Sequence, residues 1–80
     1  MGMIYANVRT TQPSVLEYNC REKRWEFFCD YALREIPKRA GFFWVPEIKA
    51  WATLDRRRAV KLIRYADHST KEQLLYIFAG

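Results

Sequence analysis

The sequence predicts a small α+β domain in which an antiparallel sheet carries helices on one face, in the order ββα–ββα. Three observations support this fold class. Two aromatic-rich hairpin patterns occur within the 80 residues, an acidic residue and a helical pattern follow each hairpin, and the two units align at an offset of 26 positions. Half of the residues are hydrophobic, which suffices for the dense core that one domain of this length needs.

Three strands are expected before the first helix, and the second and third of them form the hairpin of the first unit. Residues 3–10 are rich in β-branched and aromatic side chains and end at a turn cluster. Residues 15–20 and 24–29 flank a short polar corner, which predicts an antiparallel hairpin. In the last of these strands, alternation places Trp25 and Phe27 on one face of the sheet.

A short helix over residues 31–40 completes the first unit, with Asp30 as its expected N-cap. Pro37 conflicts with one continuous helix, so the helix may break there or begin afresh, and Gly41 suits the left-handed residue that ends it. The side chains expected to point toward the core are Tyr31, Leu33 and Ile36.

The second hairpin pairs residues 42–45 with residues 48–54. Asp55 then caps an expected helix over residues 56–66, whose apolar spacing marks one buried face. The residues of that face are Ala59, Val60, Leu62, Ile63 and Ala66. Ser69 and Glu72 form a possible capping box for a last helix over residues 70–78, although the apolar run at its end fits a strand almost as well.

The two hairpins resemble each other position by position. Tyr18 corresponds to Trp44, and Trp25 corresponds to Trp51. Chance similarity between two amphipathic hairpins is the alternative to a true structural repeat. We expect one domain over residues 1–80, with Met3 as the native start because it closely follows Met1.

Composition restricts the class of protein. The net charge of +5 favours a polyanionic or acidic partner, although many small domains carry such a charge only for solubility. Two cysteines, Cys20 and Cys29, and one histidine, His68, are too few for a metal site, so we expect reduced thiols on strands and no cofactor. No membrane span or signal peptide is recognisable, which predicts a cytoplasmic protein, in the host cytoplasm if it is phage-encoded.

A resemblance to a known module rests on the second hairpin. Trp44, Pro46, Glu47, Lys49 and Trp51 follow a short helix that ends in Ala-Gly. This pattern resembles the HARP-type domain of annealing helicases and similar hairpin–helix modules beside SNF2-type ATPases and plasmid primases. The resemblance covers about residues 31–65 and departs at Val45, where such modules commonly carry Asp. It implies DNA binding or targeting of a larger enzyme, and a free-standing copy would resemble a phage or plasmid regulator.

Exposed cations provide the candidate contacts. Arg57, Lys61 and Arg64 follow helical spacing, which predicts one basic face. Three arginines at the start of a helix oppose its dipole, and a binding role would explain why they are tolerated. The predicted binding residues are Arg34, Lys38, Arg39, Lys49, Arg56, Arg57, Lys61 and Arg64, and the predicted stacking residues are Phe43 and Trp44. The alternatives are a solvated charged surface and, for most of the rings, including Trp51, a place in the core.

These features predict a non-catalytic binding protein that contacts nucleic acid, DNA more than RNA, by phosphate neutralisation with some stacking. The alternative is a phage-type regulator that binds and inhibits a host protein, such as the transcription machinery, through the same surface. Residues 5–10 could also add a strand to a partner's sheet. An enzyme is the weakest prediction, because Asp67, His68 and Ser69 in a row do not make a triad and no glycine-rich phosphate loop occurs.

Overall fold

A computed structural model describes the backbone of residues 14–79 and the side chains of residues 14–75. It contains a four-stranded antiparallel sheet with helices, which confirms the predicted α+β class. The strands are β1 (Val15–Asn19), β2 (Arg24–Phe28), β3 (Phe43–Val45) and β4 (Ala50–Thr53). The α-helices are α1 (Glu35–Ala40), α2 (Arg56–Val60) and α3 (His68–Ala79), and 3₁₀ turns lie at Tyr31–Leu33 and Ile63–Tyr65. The strand predicted for residues 3–10 lies outside the described residues.

The sheet order is β1–β2–β4–β3, so the two hairpins meet along their second strands. Tyr18 pairs with Trp25 in the first hairpin, and Trp44 pairs with Trp51 in the second. The rings of each pair are in contact, tilted in the first and edge to face in the second, with centroids 5.0 Å and 5.3 Å apart. Both hairpins therefore use the same register at the offset of 26, which favours a structural repeat over chance similarity for the hairpins.

The turns repeat as well. Each hairpin closes through four turn residues, and the fourth is a lysine with left-handed backbone, Lys23 at φ 57° and Lys49 at φ 53°. In the middle of the sheet, Glu26 of β2 pairs with Ala52 of β4, and Ala52 is the residue that corresponds to Glu26 at the offset of 26. The hairpins are consequently related by an approximate two-fold axis through this pair. Cys20 begins the first turn and Cys29 follows β2, so the prediction that both thiols lie within strands is wrong.

The hydrophobic core lies on one face of the sheet. Leu16 and Phe27 pair across β1 and β2 on this face and are fully buried. Each α-helix contributes one side chain to the same cluster: Ala40 from α1, Ala59 from α2 and Leu74 from α3. The helices therefore cover the same face, as predicted.

The helix predicted over residues 31–40 is divided in two. A continuous helix would need a backbone N–H at Pro37 to bond the Leu33 carbonyl, and proline has none. The chain instead makes a 3₁₀ turn and begins α1 at Glu35, which places Pro37 in the first helical turn, where N–H groups lack helical partners anyway. Asp30 makes no side-chain capping bond, and Tyr31 (76% exposed) and Leu33 (40%) point away from the core, so these expectations are wrong.

The helix predicted over residues 56–66 is shorter than expected. Asp55 caps it as predicted, accepting a 2.9 Å hydrogen bond from the Arg57 N–H, but α2 ends at Val60. The chain then tightens into three-residue turns, and Ala66 becomes extended and forms a parallel bridge to Leu16. An extended Ala66 cannot close a helix, so pairing with the sheet outweighs the helical pattern.

The prediction of a helix at the end of the chain is confirmed, but its cap is Asp67. The Asp67 carboxylate accepts a 2.8 Å bond from the Thr70 N–H, so the Ser69–Glu72 capping box is wrong, and Glu72 pairs with His68 instead. The same turn covers the outer edge of β1. The Leu16 carbonyl accepts from the Asp67 N–H, and the Tyr18 N–H donates to the Thr70 hydroxyl.

The longest helix in the described part of the chain has 12 residues. None of the helices between residues 14 and 79 combines the length and apolar character required to cross a membrane.

Candidate binding cleft

A cleft of about 340 Å³ lies on the helix-bearing face, between the second hairpin and the chain around α1. Its walls combine three aromatic rings with two cations and a thiol, and no carboxylate is among its described lining residues. The lining consists of Cys29, Tyr31, Arg34, Lys38, Trp44 and Trp51. Here, "the cleft" means this set of six residues.

The hairpin places two indole rings in the cleft. Trp44 and Trp51 are cross-strand partners, so they project from the same face of the sheet. Their rings meet edge to face at an interplanar angle of 63°. Trp51 packs partly against the core, whereas Trp44 is 46% exposed because β3 is a terminal strand of the described sheet. Trp44 therefore offers a flat ring on a partly fixed support.

The chain around α1 supplies the cations. The Arg34 guanidinium lies 4.0 Å from the centroid of the Tyr31 ring and donates a 3.1 Å bond to the Tyr31 carbonyl. The cation–π contact and the hydrogen bond fix the Arg34 head group at the mouth of the cleft. Lys38 is 3.8 Å from Glu35, but both side chains are more than half exposed, so this ion pair is weak and leaves Lys38 available to an anion.

Cys29 is the thiol of the cleft. Burial raises its pKa, and the neighbouring Asp30 carboxylate raises it further. A raised pKa keeps the thiol protonated at neutral pH, which makes it a poor nucleophile. Cys29 therefore contributes apolar surface rather than reactivity.

The cleft unites only three of the predicted binding residues: Arg34, Lys38 and Trp44. Phe43 is equally exposed, at 48%, but it pairs with Ala52 on the opposite face of the sheet and cannot share a site with Trp44. Lys49 is exposed at the end of the second turn, where its left-handed backbone has a structural role. Arg39 is an exposed residue of the last turn of α1 and does not line the cleft.

The predicted basic face of the second helix is not a single helical stripe. Arg56 and Arg57 lie on α2, but α2 ends before Lys61, and Arg64 belongs to the following 3₁₀ turn. All four side chains are exposed. Helical spacing therefore no longer relates Arg57, Lys61 and Arg64, and their common face stays a prediction, although all four cations add to the positive surface.

Arg58 has a structural function that sequence reasoning missed. Its guanidinium donates a 3.0 Å bond to the Gly41 carbonyl, which joins α2 to the end of α1. Gly41 has φ 92°, and a Cβ there would lie 2.9 Å from the Arg58 side chain. The left-handed cap therefore favours glycine, and the missing Cβ also leaves room for the exposed Arg58 side chain.

Other depressions are less suited to a ligand. One of about 620 Å³ has Ser69, Glu72, Gln73 and Leu75 of α3 as its described lining, and these four residues include no ring or cation. A third lies beside the first turn and includes Glu17 and Glu26. Between residues 14 and 75, no group of three His, Cys, Asp or Glu side chains could hold a metal ion.

Sequence reasoning missed Tyr31 as a site residue and treated Trp51 mainly as core. Pro37 could have indicated that Tyr31 is not a core residue. A proline at this position breaks the helix, and residues before the break no longer follow the spacing that would turn Tyr31 toward the core. For Trp51, the useful comparison was with Trp25, the equivalent residue of the first hairpin. Trp25 is buried in the first hairpin, but no helix of the described chain lies at the corresponding place in the second.

Comparisons of the chain with protein-family models, with curated proteins and with solved structures found no match. The resemblance to accessory modules of DNA-processing proteins therefore stays a prediction. The cleft itself provides the strongest observation from which a function can be proposed.

Proposed function

We propose that this protein is a non-catalytic nucleic-acid-binding module that uses the cleft as its principal contact. The observation that carries the proposal is the convergence of three aromatic rings with Arg34 and Lys38 around one space of about 340 Å³. Nucleic acids present flat bases and negative phosphates at short separation, and a site of this composition suits both groups.

The rings provide the first part of the interaction. A nucleobase that stacks on an aromatic side chain gains about 1–3 kcal/mol, with little dependence on which base it is. Trp44 is the best placed ring, because it is half exposed and its edge-to-face contact with Trp51 limits its rotation. This arrangement supports binding with low sequence specificity.

The cations provide the second part. Arg34 and Lys38 lie beside the rings, where the phosphate of a stacked nucleotide would be found. The exposed Arg56, Arg57, Lys61 and Arg64 and the net charge of +5 add a longer-range attraction for a polyanion. A contact of this kind releases counterions, so the affinity should fall steeply as salt is raised.

The chemistry of the cleft supports binding rather than catalysis. Its thiol has a raised pKa, and its described lining contains no carboxylate or histidine that could act as a general base. His68 lies on α3, where its imidazole is 3.3 Å from the Glu72 carboxylate and both side chains are exposed.

The decisive experiment compares two double variants that remove equal charge. Arg34→Gln with Lys38→Gln neutralises the cleft, whereas Arg56→Gln with Arg57→Gln neutralises exposed residues outside it. Binding of labelled single-stranded and duplex DNA and RNA is measured by fluorescence anisotropy at several salt concentrations. The cleft variant should lose at least about tenfold in affinity, and its salt slope should fall by about 0.7 for each single-strand phosphate contact removed.

The control variant should lose distinctly less. Equal losses in the two variants would mean that net charge alone is responsible, which contradicts a localised site. Failure of the unmodified protein to bind any nucleic acid more tightly than about 1 mM at low salt, equivalent to about 4 kcal/mol, would refute the proposal. Displacement of bound DNA by polyglutamate at equal charge concentration would instead favour an acidic protein partner.

A further inference from the structure

Among residues 14–75, the two hairpins are related by the two-fold axis but are covered differently: α3 packs on the first aromatic pair, and the cleft lies at the second. In the first hairpin, the Tyr18–Trp25 pair lies under α3. The Trp25 indole N–H donates a 3.0 Å bond to the Gln73 side-chain carbonyl, and Leu74 beside it is fully buried. The first aromatic pair therefore has an apolar cover and a hydrogen-bond acceptor, both from the chain itself.

The second hairpin has the same aromatic pair without that cover. Trp44 and Trp51 occupy the positions of Tyr18 and Trp25, and the space above them is the cleft. Neither indole N–H donates to any partner among the described side chains and backbone groups. The comparison within one molecule thus indicates what is missing at the second pair: a flat or apolar group that also presents an acceptor.

The size and charge of the cleft restrict the missing group. A volume of about 340 Å³ lies at the small end of the range for ligand sites, which is about 300–1,000 Å³. A helix like α3 needs a width of about 10 Å with its side chains and is too large for such a space. Arg34 and Lys38 favour an occupant that carries negative charge, since no carboxylate is among the described lining residues.

We propose that the cleft receives one unpaired nucleobase of a single strand, with its own phosphate against Arg34 and Lys38. A base supplies the flat surface and a carbonyl or ring nitrogen as the acceptor, and its phosphate supplies the charge. A base inside a duplex has both faces stacked and its pairing edge in use, so it cannot enter. The inference rests on the proposed function and adds to it a selectivity for single strands.

The test compares ligands of equal length at equal phosphate concentration, since a duplex carries twice the charge of one strand. Affinities are measured for a short oligothymidine, for an abasic strand with the same number of phosphates, and for the corresponding duplex. The oligothymidine should bind about 5- to 160-fold more tightly than the abasic strand, which corresponds to the loss of one stacked base. Compared per phosphate, the duplex should bind no better than the abasic strand.

Trp44→Leu should remove this difference, and Trp44→Tyr should restore most of it. Phe43→Leu is the matched control, because Phe43 is the adjacent residue with the same exposure on the opposite face of the sheet. It should leave the affinities unchanged, and circular dichroism should show that each variant is folded. Equal binding of the abasic strand and oligothymidine, or tighter binding of the duplex, would overturn the inference while nucleic-acid binding itself stands. No binding of any strand would refute the proposed function as well.

Discussion

The left-handed lysines at the two hairpin turns permit a quantitative prediction of stability. Left-handed backbone destabilises a residue that has a Cβ by about 1–2 kcal/mol, and glycine avoids this cost. Glycine also increases the conformational entropy of the unfolded chain, which lowers the stability of the fold by about 0.4–1 kcal/mol. Replacing Lys23 or Lys49, at φ 57° and 53°, with glycine should therefore stabilise the fold by about 0.8 kcal/mol. For a domain of this length, that corresponds to a rise in Tm of about 3–6 °C.

The assay is equilibrium urea denaturation of Lys23→Gly, Lys49→Gly and the double variant. The two single changes should agree, because the turns are equivalent, and they should add in the double variant, because the turns lie at opposite ends of the sheet. Arg21→Gly is the matched control: it removes the same charge from the first turn but lies outside the left-handed region, so it should destabilise. Destabilisation by either lysine substitution, or stabilisation by the control, would refute the reasoning.

Two further predictions concern α3 and the thiol of the cleft. The hydrogen bond from the Thr70 N–H lowers the pKa of Asp67 below its usual value near 3.8. Its contribution to stability should be complete above that value and lost as the pH falls through the lower folded pKa, and Asp67→Ala should cost about 1 kcal/mol at pH 7 and abolish this part of the acid titration. An unchanged titration would contradict the capping role. Iodoacetamide should modify Cys29 more slowly than the exposed Cys20, because burial and Asp30 raise the pKa of Cys29. Bound oligothymidine should slow Cys29 further and leave Cys20 unchanged, and equal protection of both thiols would contradict the location of the cleft.

Much of the fold was predictable because the hairpins are locally encoded. Aromatic alternation and polar corners determine where β1, β2 and β4 run, and the offset of 26 anticipates their common register. The left-handed backbone at Lys23 and Lys49 was not predictable, because lysine has no preference for it; the four-residue closure imposes it. The end of α2 at Val60 was also not predictable from local sequence. The chain that follows it leads to the bridge between Ala66 and Leu16, which are distant in sequence.

The candidate site was predictable only in parts. Arg34, Lys38 and Trp44 are recognisable as a charge pattern and an aromatic pattern, but no local signal shows that they border one cleft. Their convergence depends on the 3₁₀ turn at Tyr31–Leu33, which carries Tyr31 outward toward the second hairpin. Whether a ring is buried or open likewise depends on where α3 packs. Trp25 and Trp51 occupy equivalent positions, and only Trp25 is covered by α3.

The bonds that close the outer edge of β1 bear on association between molecules. Through Asp67 and Thr70, the first turn of α3 occupies the Leu16 carbonyl and the Tyr18 N–H, which would otherwise be open to a strand from another molecule. The same Asp67 carboxylate caps that turn and loses its hydrogen bond from Thr70 in acid. Protonation of Asp67 would weaken the turn that holds the Asp67 N–H and the Thr70 hydroxyl against β1. The carboxylate that caps α3 thus also supports the cover over two backbone groups at the edge of the sheet, and acid should make those two groups more accessible.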